Sequence, residues 1–238
     1  MTTPRRPRTV QAGIATGLAI LAVSCWLVWP RPGGSFDAVP WETESGRVVW
    51  VARHELSVKE WNACAAAGGC RLTLKTRAGQ DPAKTPATGL SWIDAMEYLN
   101  WANKAAKGAL RLPTAEEWQA MAKPVLPPEA EPLFTDPELS WASAYLIEDG
   151  YSRALQPIGS HSVTSDGIAD LDGPVWEWTS DCFDRDAPQH RCPAFFAGGL
   201  HVSAIPLLTR DPARGGCAVG APPAHLGMRL VSDYPPSS

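Results

Sequence analysis

Between Gly167 and Asp181 the chain reads GIADLDGPVWEWTSD, and this stretch limits the fold more than any other. Asp170, Asp172 and Gly173 lead into Pro174 as a tight corner, because aspartate bonds its own backbone and glycine accepts positive φ. From Val175 to Thr179 the residues alternate in a β-rich run. Trp176 and Trp178 then share one face, and Val175 and Glu177 share the other. A carboxylate placed just after a turn rich in free carbonyls is an oxygen-ligand arrangement of the kind calcium takes. A surface hairpin with core tryptophans and solvated acids is the simpler reading of the same residues.

A chain of 238 residues is long enough for one large domain with its own core. Its 23 prolines, 20 glycines and 11 tryptophans describe irregular backbone pinned by large aromatics. The net charge is −4, and Arg5, Arg6 and Arg8 lie in the N-terminal tail, so no basic stripe remains to hold nucleic acid.

Residues 12–29, AGIATGLAILAVSCWLVW, form an uncharged apolar run just long enough to span a bilayer. The arginines before it predict a cytoplasmic tail over 1–11, a single-pass inner-membrane anchor over 12–29 and a periplasmic domain beyond. A cleaved signal peptide is the competing reading, but no A-x-A-like site follows the run. Residues 30–46, rich in Pro, Gly and polar residues, read as a linker to a domain over 47–238. The cysteines suit an oxidising compartment. Cys64 and Cys70 bracket a flexible helix end, and Cys182 and Cys192 bracket a polar loop; Cys217 could instead pair with Cys182 or Cys192.

Along the domain, Arg47–Arg53 is a strand candidate. Ser57 and Glu60 form a capping box that opens a helix to about Ala67, and His54, with no second histidine near it in sequence, reads as a structural polar residue. Ser91 and Asp94 cap a second helix over 91–107. Its residues Trp92, Ala95, Met96, Leu99 and Ala102 recur at helical spacing and define a buried face. Thr114 and Glu117 form another box, with Trp118 as the first core anchor of a third helix. Residues 71–88 and 123–137 read as loops, Pro193–His201 as β-like, and Leu226–Val231 as a closing strand. Helices and strands do not alternate as βαβ units. The layout predicts an α+β fold, two or three helices against small twisted antiparallel sheets with long coil between them.

The blocks ARHELSVKEW (52–61), PATGLSWIDAMEYLNWAN (86–103), RLPTAEEWQAMA (111–122), the WEWTSD turn and LGMRLV (226–231) resemble, in that order, the sulfatase-modifying-factor domain of formylglycine-generating enzyme. The resemblance implies a C-type-lectin-like fold following the N-terminal helix, and makes Arg111 a scaffold position. It implies a structural calcium held by Asp170, the carbonyls of Gly173 and Val175, and Glu177. Catalytic members hold copper(I) on two cysteines, since a soft ion prefers thiolates. Counting from Gly198-Gly199, those positions are Ser203 and Leu208 here, with Ala204 between them and Leu200 in place of the family serine. No copper is expected, and no catalytic residue is assigned. The family's peptide groove maps near Trp176, His201 and Ser203. The departure resembles the accessory proteins of copper nitrite reductases and implies an exported protein or peptide, such as a copper enzyme, as partner. The rival is a metal-dependent oxidase with its metal re-sited on Cys217, His201 and His225. A Ser-His-Asp hydrolase has no support, because no serine sits in a nucleophile-elbow glycine pattern.

Overall fold

Pinning by tryptophan indoles organises the irregular chain. The computed structural model describes residues 36–106, 109–128, 152–210 and 223–236, with scattered residues between 131 and 147. Within these, the Trp61 indole N–H donates to the carbonyl of Leu72 (2.8 Å), that of Trp178 to Leu90 (2.7 Å) and that of Trp92 to Thr179 (3.1 Å). Each buried ring therefore fills core volume and gives a carbonyl of coil or strand a hydrogen-bond donor. Trp92 also stacks on Phe195, with ring centroids 3.6 Å apart and planes 6° from parallel.

The elements, in order, are β1 (Ala38–Glu42), β2 (Val48–Ala52), α1 (Val58–Ala66), α2 (Trp92–Ala106), β3 (Leu110–Arg111), α3 (Ala115–Ala122), β4 (Val175–Cys182), β5 (Ala194–Gly198), β6 (Val202–Pro206), β7 (His225–Gly227) and β8 (Val231–Ser232). They build two four-stranded sheets, ordered β1-β2-β8-β3 and β6-β5-β4-β7. Helices and small sheets joined by long coil match the α+β expectation, except that β4 and β7 run parallel. The larger apolar core joins α1 and α2 to the second sheet through Trp61, Leu99, Trp178 and Phe195. A second core packs Trp118 and Met121 of α3 on Val49, Val51 and Val231 of the first sheet.

Three expectations from sequence take a different form. The linker assigned to 30–46 contains β1, because Val39 and Trp41 alternate inward while Pro40 and Glu42 stay exposed. Pro40 is tolerated there because β1 is an edge strand. The closing strand over 226–231 splits into β7 and β8, which belong to different sheets, and Met228–Leu230 carries the chain between them. The hairpin of β4 lies inside the molecule rather than on its surface: Trp176 and Trp178 join the larger core, and Glu177 on the opposite face is buried as well. The anchor over 12–29, the tail before it and Cys217 fall outside the described residues. Among the described residues no helix is long and apolar enough to cross a membrane.

Both disulfides form, Cys64–Cys70 at the end of α1 and Cys182–Cys192 across the loop after β4, with Cα separations of 5.3 and 5.8 Å. Arg111 is a scaffold residue. Its guanidinium bridges Glu117 of α3 and Asp233 beyond β8, each at 2.7 Å.

Both capping boxes are complete. Ser57 Oγ accepts from the Glu60 N–H and Thr114 Oγ1 from the Glu117 N–H, and each glutamate side chain returns a bond to its cap. Replacing Ser57 or Thr114 by alanine is expected to lower the unfolding free energy by about 1 kcal/mol each. The double variant should show nearly the sum, because the two boxes share no partner. Urea denaturation followed by circular dichroism measures both.

Candidate functional site

A guanidinium at the junction of the two sheets gathers the buried acids. Arg229, in the segment between β7 and β8, has no solvent exposure. Its Nε donates to both carboxylate oxygens of Glu177 (3.1 and 3.0 Å), and Nη2 donates to Glu177 Oε1 and the Ala169 carbonyl (both 2.8 Å). Nη1 donates to the carbonyls of Ala52 and Arg53, both at 2.9 Å. The whole guanidinium fork is thus engaged. Burial works against the cation, but the charges of Glu177, Glu55 and Asp170 outweigh it and hold the pKa of Arg229 above its ordinary value.

Glu177 reaches this point because it alternates with the two tryptophans of β4, and its Oε2 also accepts from the Trp118 indole N–H at 2.8 Å. Asp170 sits at φ +65°, a left-handed conformation that aspartate tolerates in a turn. Its Oδ2 accepts from the Gly159 N–H (2.6 Å) and lies 3.2 Å from His54 Nδ1, while Oδ1 accepts from the His161 N–H (2.9 Å). Burial would raise its pKa, but His54 and the two N–H donors outweigh it and hold the carboxyl down to about 2. Glu55, between β2 and α1, differs. Its Oε2 has no hydrogen-bond partner and lies 3.8 Å from Arg229 Nη2. Burial pushes its carboxyl up to about 8 against the opposing pull of Arg229, and the charges of Glu177 and Asp170 add to the rise.

These bonds bear on the expected calcium ligands. Glu177 turns both oxygens to Arg229 and Trp118, and Asp170 turns both of its own to backbone N–H groups and His54. Each of these four oxygens thus has a nitrogen donor beside the turn whose Gly173 and Val175 carbonyls complete the expected ligand set. Arg229 is the cation these acids surround.

The residues expected to line a peptide groove occupy a different part of the second sheet. Trp176 is buried, with Gly199 lying so close over its indole that a Cβ there would come within 2.4 Å of the ring. His201 meets that indole edge-on at 4.6 Å. Ser203 pairs with Ala197 in β6, the edge strand of the sheet, and Leu208 lies beyond its end, 73% exposed. Trp176 therefore packs against His201, whose Nε2 is buried, while Ser203 is half-buried on the β6 face it shares with Ala197 and Ile205. His225 is on the opposite edge, in β7, with Nε2 3.0 Å from the Arg153 carbonyl. Among the described residues, the grouping that offers three metal-ligand atoms is His54, Glu55 and Asp170, and it includes neither His201 nor His225.

His54 and Glu55 also line a cavity of about 650 Å³ with Leu56, Tyr98, Trp101 and Leu230. Sequence reasoning missed Arg229, Glu55 and the partnership of His54 with Asp170. One signal was present: an arginine in the apolar run LGMRLV needs buried acids to be tolerated there.

Comparison with known proteins places these features. Residues 32–234 match the family model described as the sulfatase-modifying factor enzyme 1-like domain. The chain is 30% identical over 122 residues to a formylglycine-generating enzyme of Thermomonospora curvata, covering 46% of this chain and 37% of that one. It is 33% identical over 104 residues to the inactive C-alpha-formylglycine-generating enzyme 2 of Bos taurus, covering 40% and 32%. The Mus musculus formylglycine-generating enzyme is 29% identical over 176 residues, covering 64% and 45%. The chain thus spans less than half the length of these curated relatives. Among solved structures, PvdO from Pseudomonas aeruginosa superposes with a TM-score of 0.52 at 20% identity, covering 79% of this chain and 82% of that one, a likeness of fold.

Glu55 makes stability depend on pH. Its folded pKa lies above the ordinary carboxylate value, so ionising it opposes folding as pH rises from about 4.3 towards 8. In chelator-treated buffer Glu55→Gln is expected to match the parent near pH 4.5. At pH 8 it should exceed the parent by more than about 1.4 kcal/mol, the worth of one pKa unit. Urea midpoints across that range check this.

Proposed function

The chain belongs to the sulfatase-modifying factor enzyme 1-like domain family, and from that premise we propose that it is a non-catalytic binding member, an accessory protein that holds an exported polypeptide during maturation or assembly. The observation that carries the reading is the identity of the copper positions. Ser203 lies within β6 and Leu208 just past its end. A hydroxyl and an isobutyl group offer copper(I) no thiolate, so the soft-ion chemistry of catalytic members has no ligands at these positions. Similarity to a relative named as inactive supports the same direction.

The rest of the proposal follows from charge and compartment. Residues 12–29 would anchor the chain in the inner membrane, with the arginines before them held in the cytoplasm and the domain in the periplasm. Two disulfides suit that oxidising side. The partner would be an exported protein or peptide, with a copper enzyme such as nitrite reductase as the specific candidate. It would dock beside His201 and Ser203, where β6 presents an edge to which an extended segment can add as a further strand. Trp176 beneath keeps this rim in place.

A photo-crosslinking amino acid in place of Ser203, in cells that express the full chain, is expected to give one dominant adduct with an exported protein. The same residue in place of exposed Glu44 should give none. Purified chain is expected to leave a peptidyl cysteine unoxidised in the presence of oxygen and copper(I). The double substitution Ser203→Cys with Leu208→Cys should gain about one equivalent of bound copper(I) in a chromophoric competition assay. Oxidation of the peptide by the unaltered chain would overturn the reading.

A further inference from the structure

His54, Glu55 and Asp170 come from distant parts of the sequence, and the fold places one donor atom of each within 4.8 Å of the others. From this convergence we propose that they bind a single divalent transition-metal ion, of the zinc, manganese or iron(II) type, at the wall of the 650 Å³ cavity.

The donor chemistry selects the class of ion. One imidazole and two carboxylates suit zinc, manganese and iron(II), whereas calcium takes oxygen ligands alone. His54 Nδ1 and Asp170 Oδ2 are 3.2 Å apart. Two ligands on one such ion, each about 2.0–2.2 Å from it, stand at roughly that separation. The N–H groups of Gly159 and His161 already fix the Asp170 carboxylate, as the outer partners of metal-bound carboxylates do.

Glu55 supplies an independent observation. Its side chain is 5% exposed, and Oε2 lacks any hydrogen-bond donor. A buried carboxylate oxygen with no donor is an unmet interaction in a structure whose other buried acids are fully bonded. Charge points the same way. Asp170 and Glu177 already outnumber the one buried cation among these groups, Arg229, and a divalent ion would offset the further negative charge of an ionised Glu55. Glu177 is held by Arg229 and Trp118, so the ion belongs on the side of Glu55 and His54.

Access is provided by His54, whose side chain is about a third exposed and lines the cavity together with Glu55. Three protein ligands leave coordination positions for water or for an oxygen donor on a small molecule entering between Tyr98, Trp101 and Leu230. This site is separate from the Ser203 rim and uses neither Cys217 nor the histidines of the second sheet.

The test is calorimetric titration of the chelator-treated full chain with zinc, in a Cys217→Ser background, with the visible spectrum of the cobalt(II) form as a second readout. Binding of one equivalent is expected. His54→Gln and Glu55→Gln should each weaken it by more than about tenfold with an unchanged far-ultraviolet circular dichroism spectrum, and His225→Gln should leave it unaltered. Because His54 is partly exposed, His54→Gln tests the site even if a change at Glu55 disturbs folding. Absence of stoichiometric binding, or binding that both ligand variants leave intact, would overturn the proposal. Neither result bears on crosslinking at Ser203.

Discussion

The contact between Arg229 and Glu177 decides how the two sheets meet. A fully buried guanidinium is tolerated only when its charge is matched and its donors are used. Here the match comes from the second sheet, through Glu177, and from the end of β2 in the first, through the carbonyls of Ala52 and Arg53. The Ala169 carbonyl, next to Asp170 in the signature turn, takes a further bond. One side chain thus ties the end of β2 to the signature turn and β4, which follow it by more than 100 positions in the chain. Replacing either partner by an apolar residue would strand a charge, a loss typically of about 3–5 kcal/mol.

Much of the scaffold was legible because local rules and tertiary packing agree. The serine and threonine caps, the apolar spacing of α2 and the alternation of β4 each express a short-range preference that the fold keeps. The cysteine pairs were legible for the same reason, since each closes a short loop. The failures share a cause as well. Pro40 gives residues 38–42 the look of a linker, and only pairing with β2 makes them a strand. Leu226–Val231 reads as one strand because both of its halves are apolar, while its division between sheets depends on where Arg229 must go.

The site was harder to read than the scaffold. Asp170 and Glu177 stand out from sequence as acids near a turn, which suggests a bound cation, and in the fold Glu177 faces a cation directly. Its source is a residue of the chain itself, some fifty positions after Glu177. His54 and Glu55 carry no local signal at all. Their significance lies in the 116-residue gap that the fold closes between His54 and Asp170, which no sequence window contains. The family's copper positions, by contrast, are legible from sequence alone as Ser203 and Leu208, neither of which carries a thiol.

The strand order also governs when the domain can form during synthesis. β8 lies between β2 and β3, although it follows both by more than a hundred residues. A chain emerging N-terminus first therefore exposes the inner edges of both strands, with Val49 and Val51 uncovered, until Val231 and Ser232 arrive. Arg229 arrives just before them, so Glu177 waits for its counter-charge over the same interval. Folding of the first sheet is therefore coupled to the arrival of its last strand, and the earlier strands stay open to other pairings until then.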